Sequence, residues 1–301
     1  MELQWPLILF TFFNCLAGGI FLMQGLLMCL GRGKKMQMAS LVAALVSLAV
    51  GGLAVFMHLQ HWERMFNGFG HITSGITIEL IFVVLFGVAL VVYFLMMRRA
   101  EDGAAPKWCG IMAIVVGLAL PTATGTSYLM PALPVWDTPL LPIYYVVNTL
   151  LLGGLGSMVI AAALRVGDAS DVCVKMSLVG AALCLVITVV YAAVINGMSD
   201  KFTDVQYYFD PTLPDVGMVD VPAITGAILS GSLALAFWLG NVVVGCAGPA
   251  ALALLSMKGK LQTEGTQGLV VAGAALVCAI VGSIVWRCLL YVVAVHALPF
   301  Y

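Results

Sequence analysis

Apolar runs of some twenty residues recur along this chain, separated by short stretches that collect its charges, prolines and glycines. A helix needs about 20 mostly apolar residues to cross a bilayer. Windows of that kind cover residues 6 to 30, 39 to 59, 73 to 97, 108 to 130, 141 to 164, 173 to 197, 222 to 255 and 268 to 296. The pattern predicts an all-α integral membrane protein: one polytopic domain, 1–301, with eight transmembrane helices in two four-helix bundles. The seventh window is too long for one straight helix. Gly226, Gly231, Gly240, Gly245, Gly248 and Pro249 interrupt it, so an interfacial lead-in, a kink or both are expected there. The first window has no basic leader, exceeds a signal-peptide core in length and lacks a convincing cleavage site, so it is expected to remain in the mature chain.

Composition strengthens this reading. Of 301 residues, 62% are hydrophobic and 9% charged, and the mean hydropathy is +1.10. Charges are too few to cover a soluble globule. A net charge of −1, with the basic residues confined to short loops, gives no sign of a nucleic-acid partner. The eight cysteines are scattered through apolar runs without C-x-x-C or C-x-x-C-H spacing, which argues against a zinc site, an iron–sulfur cluster or covalently attached haem. They read as small apolar residues.

Arg32, Lys34, Lys35, Arg98, Arg99, Lys107, Arg165, Lys175, Lys258 and Lys260, ten of the thirteen Lys and Arg, lie in or beside the loops after helices one, three, five and seven. Only Arg64 and Lys201 fall in the alternate loops. The positive-inside rule therefore puts both termini, and the loops after helices two, four and six, on the outer side. The longest outer loop, 198 to 221, carries five aspartates and the aromatic segment QYYFDP; it reads equally well as a solvated loop or a docking surface.

The polar residues within the spans gather near that outer side. The stretch FMHLQHWERMFNGFGHITSGITIELIFVV, 56 to 84, holds His58, His61, His71 and Glu79. Glu79 is the sole acid placed inside a span and Arg287 the sole base, roughly 9 Å and 13 Å deep at 1.5 Å per residue. Ionisable groups at such depth are costly unless paired or facing a cavity, which marks them as candidate site residues. Three chemistries fit. A quinol can be oxidised where His58 bonds one ring oxygen and Glu79 accepts a proton. One b-type haem could bridge His58 or His61 to His296, although no haem pair can be stacked across the bilayer. In a proton-coupled transporter, Glu79 would titrate and Arg287 bind an anion, but the two halves show no inverted repeat of broken helices.

Four segments in order, WPLILFTFFNCLAGGIF at the start, FMHLQHWERMFNGF followed by ITIEL, SYLMPALPVWDTPLLP between helices four and five, and WRCLLY in helix eight, resemble the membrane anchor subunit of dimethyl sulfoxide reductase. The similarity runs over nearly the whole chain and thins in helices six and seven. It implies an anchor and menaquinol-oxidising subunit in the bacterial cytoplasmic membrane. The partners would be a four-cluster iron–sulfur subunit and a molybdopterin catalytic subunit, with menaquinol or menaquinone as bound substrate and no haem or metal in this chain. The family's functional histidine matches His58 in FMHL and its glutamate matches Glu79. After the histidine the family shows a Gly-Ser/Arg-Pro type turn where QHWERMF stands here, so His61 and Trp62 are candidates for extra contacts. Some relatives carry an arginine where this chain has Thr126, a role that would pass to Arg287 or Arg64.

Combined, these readings give a quinol site of His58, Glu79, His61, Arg287 and Tyr291. Arg287 would steady an ionised Glu79 or a semiquinone anion, and Tyr291, one turn further along the same face, would share its hydrogen bonds. Because this chain holds no redox centre of its own, a partner cluster must dock close to the quinol on the outer side, with Arg64, Pro134, Trp136 and Asp137 as the expected contacts. For ALPVWDTPLLP, a rigid turn with an interfacial tryptophan is the competing reading.

Overall fold

A computed structural model describes residues 3–58, 70–71, 73–202 and 221–295. The described residues are helical, without strands, and eight of the helical segments are long and apolar enough to cross a membrane. The first six are α1 (Trp5–Cys29), α2 (Gln37–His58), α3 (Gly75–Arg99), α4 (Lys107–Ser127), α5 (Leu140–Leu164) and α6 (Gly167–Asn196). The seventh run begins with a short helix, α7 (Val221–Thr225), passes through turns, and crosses as a π-helix, Ala236–Ala247, that continues into α8 (Gly248–Met257). The eighth span is α9 (Gly265–Val293). Local chemistry sets several boundaries. Pro6 opens α1, where a missing N–H costs nothing. Gly33, at φ 61°, supplies the left-handed turn that lets the short 3₁₀ segment Lys34–Met36 lead into α2.

Helix α1 packs against α2, α4 and α5, while α5 also packs against α4, α6 and α9. Their spans are each 72% buried, against 28% for α3, so α1 and α5 form the interior and α3 faces lipid along much of its length. Small residues make this possible. A Cβ added to Gly18 would lie 2.6 Å from the Gly117 carbonyl oxygen, and one on Gly19 would strike Gly153 of α5. In lipid, where apolar surface gives helices no reason to associate, such backbone approach and its dispersion contacts supply the attraction. Gly245 and Gly282 meet in the same way between the π-helix and α9. A π-turn within a span re-aims side chains, and here it points Asn241 inward, where it is 3% exposed.

Two ends of the bundle differ in chemistry. The starts of α1, α3 and α5 and the ends of α2, α4 and α6 share one face, called the N-terminal face below. The other face carries Arg32, Lys34, Lys35, Arg98, Arg99 and Lys107 and is called the basic face.

Candidate functional site

Glu79 lies four residues past Gly75, the first residue of α3. Gly75 rests against the last turn of α4, where an added Cβ would come within 3.0 Å of the Ser127 carbonyl oxygen. That close approach carries Glu79 into the bundle, 9% exposed, beside the hydroxyls of Thr124 and Ser127. Its Oε1 has no hydrogen-bond partner among the described residues. Thr124 is itself engaged, its Oγ1 accepting from Asn14 Nδ2 of α1 at 3.2 Å, and Asn14 Oδ1 is left without a donor among the described residues. Tyr128, Tyr145 and Tyr291 all lie close enough to Glu79 to feel its charge.

Arg287, on α9, is 1% exposed where α1, α5 and α9 cross. Its Nε donates to Thr11 Oγ1 at 3.1 Å. Nη1 donates to the Tyr144 hydroxyl (3.1 Å), to Asn148 Oδ1 (3.2 Å) and to the Ser283 carbonyl (3.1 Å). Nη2 reaches the Thr11 carbonyl at 3.4 Å and Cys15 Sγ at 3.3 Å. The rings of Phe12, Tyr144 and Tyr145 surround the guanidinium at 5.9, 5.4 and 5.1 Å, so quadrupoles and neutral dipoles replace a counter-ion. Asn148 is fixed in turn by exchanging hydrogen bonds with the Ser283 hydroxyl at 2.6 and 2.9 Å. No ion pair joins Arg287 to Glu79 among the described residues.

Beside Arg287 is a narrow cleft lined by Tyr128, Trp136, Leu141, Tyr145, Arg287, Leu290 and Tyr291, with about 10 Å³ of space. That holds one water at most and no aromatic ring. Among the described residues the Tyr291 hydroxyl, which lies beside that of Tyr128, makes no hydrogen bond of good geometry.

The family model described as DMSO reductase anchor subunit (DmsC) matches residues 1–291 of the chain. The chain belongs to the DMSO reductase anchor subunit family. No curated protein matches it. The anchor subunit is therefore the multi-pass membrane component of a dimethyl sulfoxide reductase-type complex, which also has catalytic and electron-transfer subunits.

The residues singled out in the sequence of this anchor subunit fall into three groups. Arg287 and Tyr291 line the cleft, and Glu79, outside its lining, lies near Tyr291. His58 stands exposed at the end of α2, with no hydrogen bond to Glu79 among the described residues. His61 and Arg64 lie outside the described residues, as does His296. In the third group, Pro134 and Trp136 are buried while Asp137 is exposed. Trp136 Nε1 donates to the Leu290 carbonyl at 3.2 Å, and its ring meets Tyr128 and Tyr291 edge-on at 5.6 and 4.9 Å. Tyr191 clamps the same loop by donating to the Val135 carbonyl at 2.7 Å. The loop thus folds down onto the cleft and roofs it.

Sequence reasoning passed over Thr11, Tyr144, Tyr145 and Asn148. A signal was present: Tyr144 and Asn148 are four apart in an otherwise apolar span and share a helix face.

Proposed function

We propose that this chain anchors its complex at the outer side of the bacterial cytoplasmic membrane and oxidises menaquinol there. In this reading the helices form two four-helix bundles, α1–α4 and α5–α9, joined along α1 and α5, and the N-terminal face with both termini is outermost. The observation that carries the proposal is Glu79: a carboxylate buried at the N-terminal face with an oxygen free to accept. Oxidation of a quinol releases two protons and two electrons. Glu79 takes a proton from one ring hydroxyl, and His58 hydrogen-bonds the other ring oxygen, whose proton leaves to the outer side; His61 is a further candidate contact. Arg287 supplies fixed positive charge to the pocket, and the Tyr291 hydroxyl is available to the ring.

The closed cleft is too small for the ring, so entry requires the aromatic roof of Tyr128, Trp136 and Tyr291 to part. Electrons leave for the nearest cluster of a four-cluster iron–sulfur subunit and continue to a molybdopterin catalytic subunit. Because this chain contributes no carrier across the bilayer, both partners are exported. The docking floor is assigned to exposed Asp137 together with Arg64, while Pro134 and Trp136 shape the floor from beneath. With proton release and acceptor reduction on one side, the reaction moves no net charge across the membrane.

Membranes carrying the whole complex, at matched assembly, test the assignment. Glu79→Gln and His58→Ala are each expected to lower menaquinol-dependent turnover by about 100-fold, the usual range for losing a positioned acid or base. Reduction of the terminal acceptor by an artificial donor should be unchanged. Wild-type quinol turnover in both variants would put the site elsewhere.

A further inference from the structure

A surface cavity lies far from Glu79, at the basic face, where the end of α1 meets the first turns of α6. It encloses about 410 Å³. Its upper wall is charged: Arg32, Asp171 and Lys175. The Asp171 carboxylate serves both cations, at 2.9 Å from Lys175 Nζ and 3.8 Å from the Arg32 guanidinium. The longer distance exceeds a hydrogen bond, so Arg32 keeps its donors free among the described residues. Lys34 is held by Asp102 at 2.9 Å, and Asp168, which accepts the Gly33 N–H at 3.0 Å, keeps its charge but stands outside the lining. Among the residues that line the groove, two cations face one carboxylate, a surplus of one positive charge.

Below that wall the lining turns apolar, through Leu30, Met176 and Val179. The apolar surface continues along α6 as Val179, Leu183 and Val186, exposed by 49%, 42% and 55%; at spacings of four and three residues they share one face. Helix α6 has 30 residues, so it is about 45 Å long against a hydrocarbon core of about 30 Å. The surplus of roughly 15 Å lifts its charged start, with Asp171 and Lys175, into the headgroup layer.

From this juxtaposition we infer that the groove is a binding site for one anionic phospholipid. The phosphodiester lies between Arg32 and Lys175, and an acyl chain runs down the stripe of Val179, Leu183 and Val186. A headgroup of net charge −1 neutralises the groove, whereas a zwitterionic one leaves its surplus in place, so the site selects by charge as well as by shape.

Native mass spectrometry of the full-length chain, purified in detergent and titrated with phosphatidylglycerol or phosphatidylcholine, tests this. Wild type should retain one phosphatidylglycerol and discriminate against phosphatidylcholine. The double variant Arg32→Gln, Lys175→Gln should bind phosphatidylglycerol about 30-fold more weakly, the effect of two interfacial cations. Val179→Trp, which keeps both charges but fills the apolar floor, should also lose retention. Lys258→Gln, on the same face but outside the groove, should bind like wild type. Undiminished binding by the double variant, equal retention of phosphatidylcholine, or competition by inorganic phosphate as effective as competition by the lipid would each overturn the inference. Unchanged helical circular dichroism in each variant separates lost binding from lost fold.

Discussion

Glu79 and Arg287 are both buried ionisable groups near the N-terminal face, yet the fold treats them in opposite ways. Arg287 directs its donors to six neutral acceptor atoms on α1, α5 and α9 and sits among three rings. Glu79 borders two hydroxyls and keeps an oxygen unsatisfied among the described residues. A charge whose hydrogen bonds are saturated by its own chain has little left for a ligand, and its removal strands the groups around it. A charge left partly unsatisfied costs free energy unless something else completes it. In the proposed reading Arg287 serves construction and Glu79 chemistry, and the contrast can be pressed experimentally.

The largest effect should come from Arg287→Leu. Thr11, Tyr144 and Asn148 would each lose a buried donor at about 1 kcal/mol apiece, and the expected outcome is loss of folded chain from detergent extracts, read by size exclusion and thermal melting. Arg287→Lys should rescue only partly, since an ammonium cannot reproduce the planar fork. If either variant folds like wild type and loses only quinol turnover, the contrast collapses. Next comes Asn148→Ala, which breaks the link to both Ser283 and Arg287 and should cost about 1 kcal/mol, as such bonds do in membranes. Glu79→Gln should alter the melting temperature less than either, despite its large effect on turnover.

The smallest effect belongs to an exposed pair used as a reference. Lys34 Nζ and the Ala104 N–H both bond the Asp102 carboxylate, at 2.9 and 3.1 Å, and hold its carboxyl below the usual carboxylate range, Lys34 contributing most. A depressed carboxyl stabilises the fold while it is ionised, and that contribution fades as pH falls through the folded-state titration. Asp102→Asn should therefore shift melting slightly at neutral pH and not at all in strong acid. Full exposure to solvent keeps the shift small.

Eight apolar windows were enough to count the spans, because lipid imposes length and apolarity on each segment independently. Glu79 and Arg287 stood out for the same reason: a charge within such a window is visible without any knowledge of its neighbours. Their surroundings were not visible. Arg287 meets Asn148 and Thr11 only after α1, α5 and α9 converge, and no local pattern encodes that crossing. Trp136 offers the clearest lesson. Its proline-rich neighbourhood reads as a surface turn, but Tyr191 and the Leu290 carbonyl, both distant in sequence, draw it inward. In the seventh run the glycines announced an interruption. The π-register there accompanies the close approach of Gly245 to Gly282, a property of two helices rather than one.

The central position of α1 also bears on how the chain is made. Helix α1 is synthesised first, yet its glycine seam is covered on one side by α4 and on the other by α5. At 5 to 20 residues per second, the start of α5 at Leu140 follows that of α1 by roughly 7 to 27 s. In the first part of that interval Asn14, fully buried in the finished molecule, lacks the Thr124 hydroxyl of α4 that it bonds there, and the α5 side of the seam stays open throughout. The earliest helix is among the last to be enclosed, so the chain depends most on assistance before its second half has emerged.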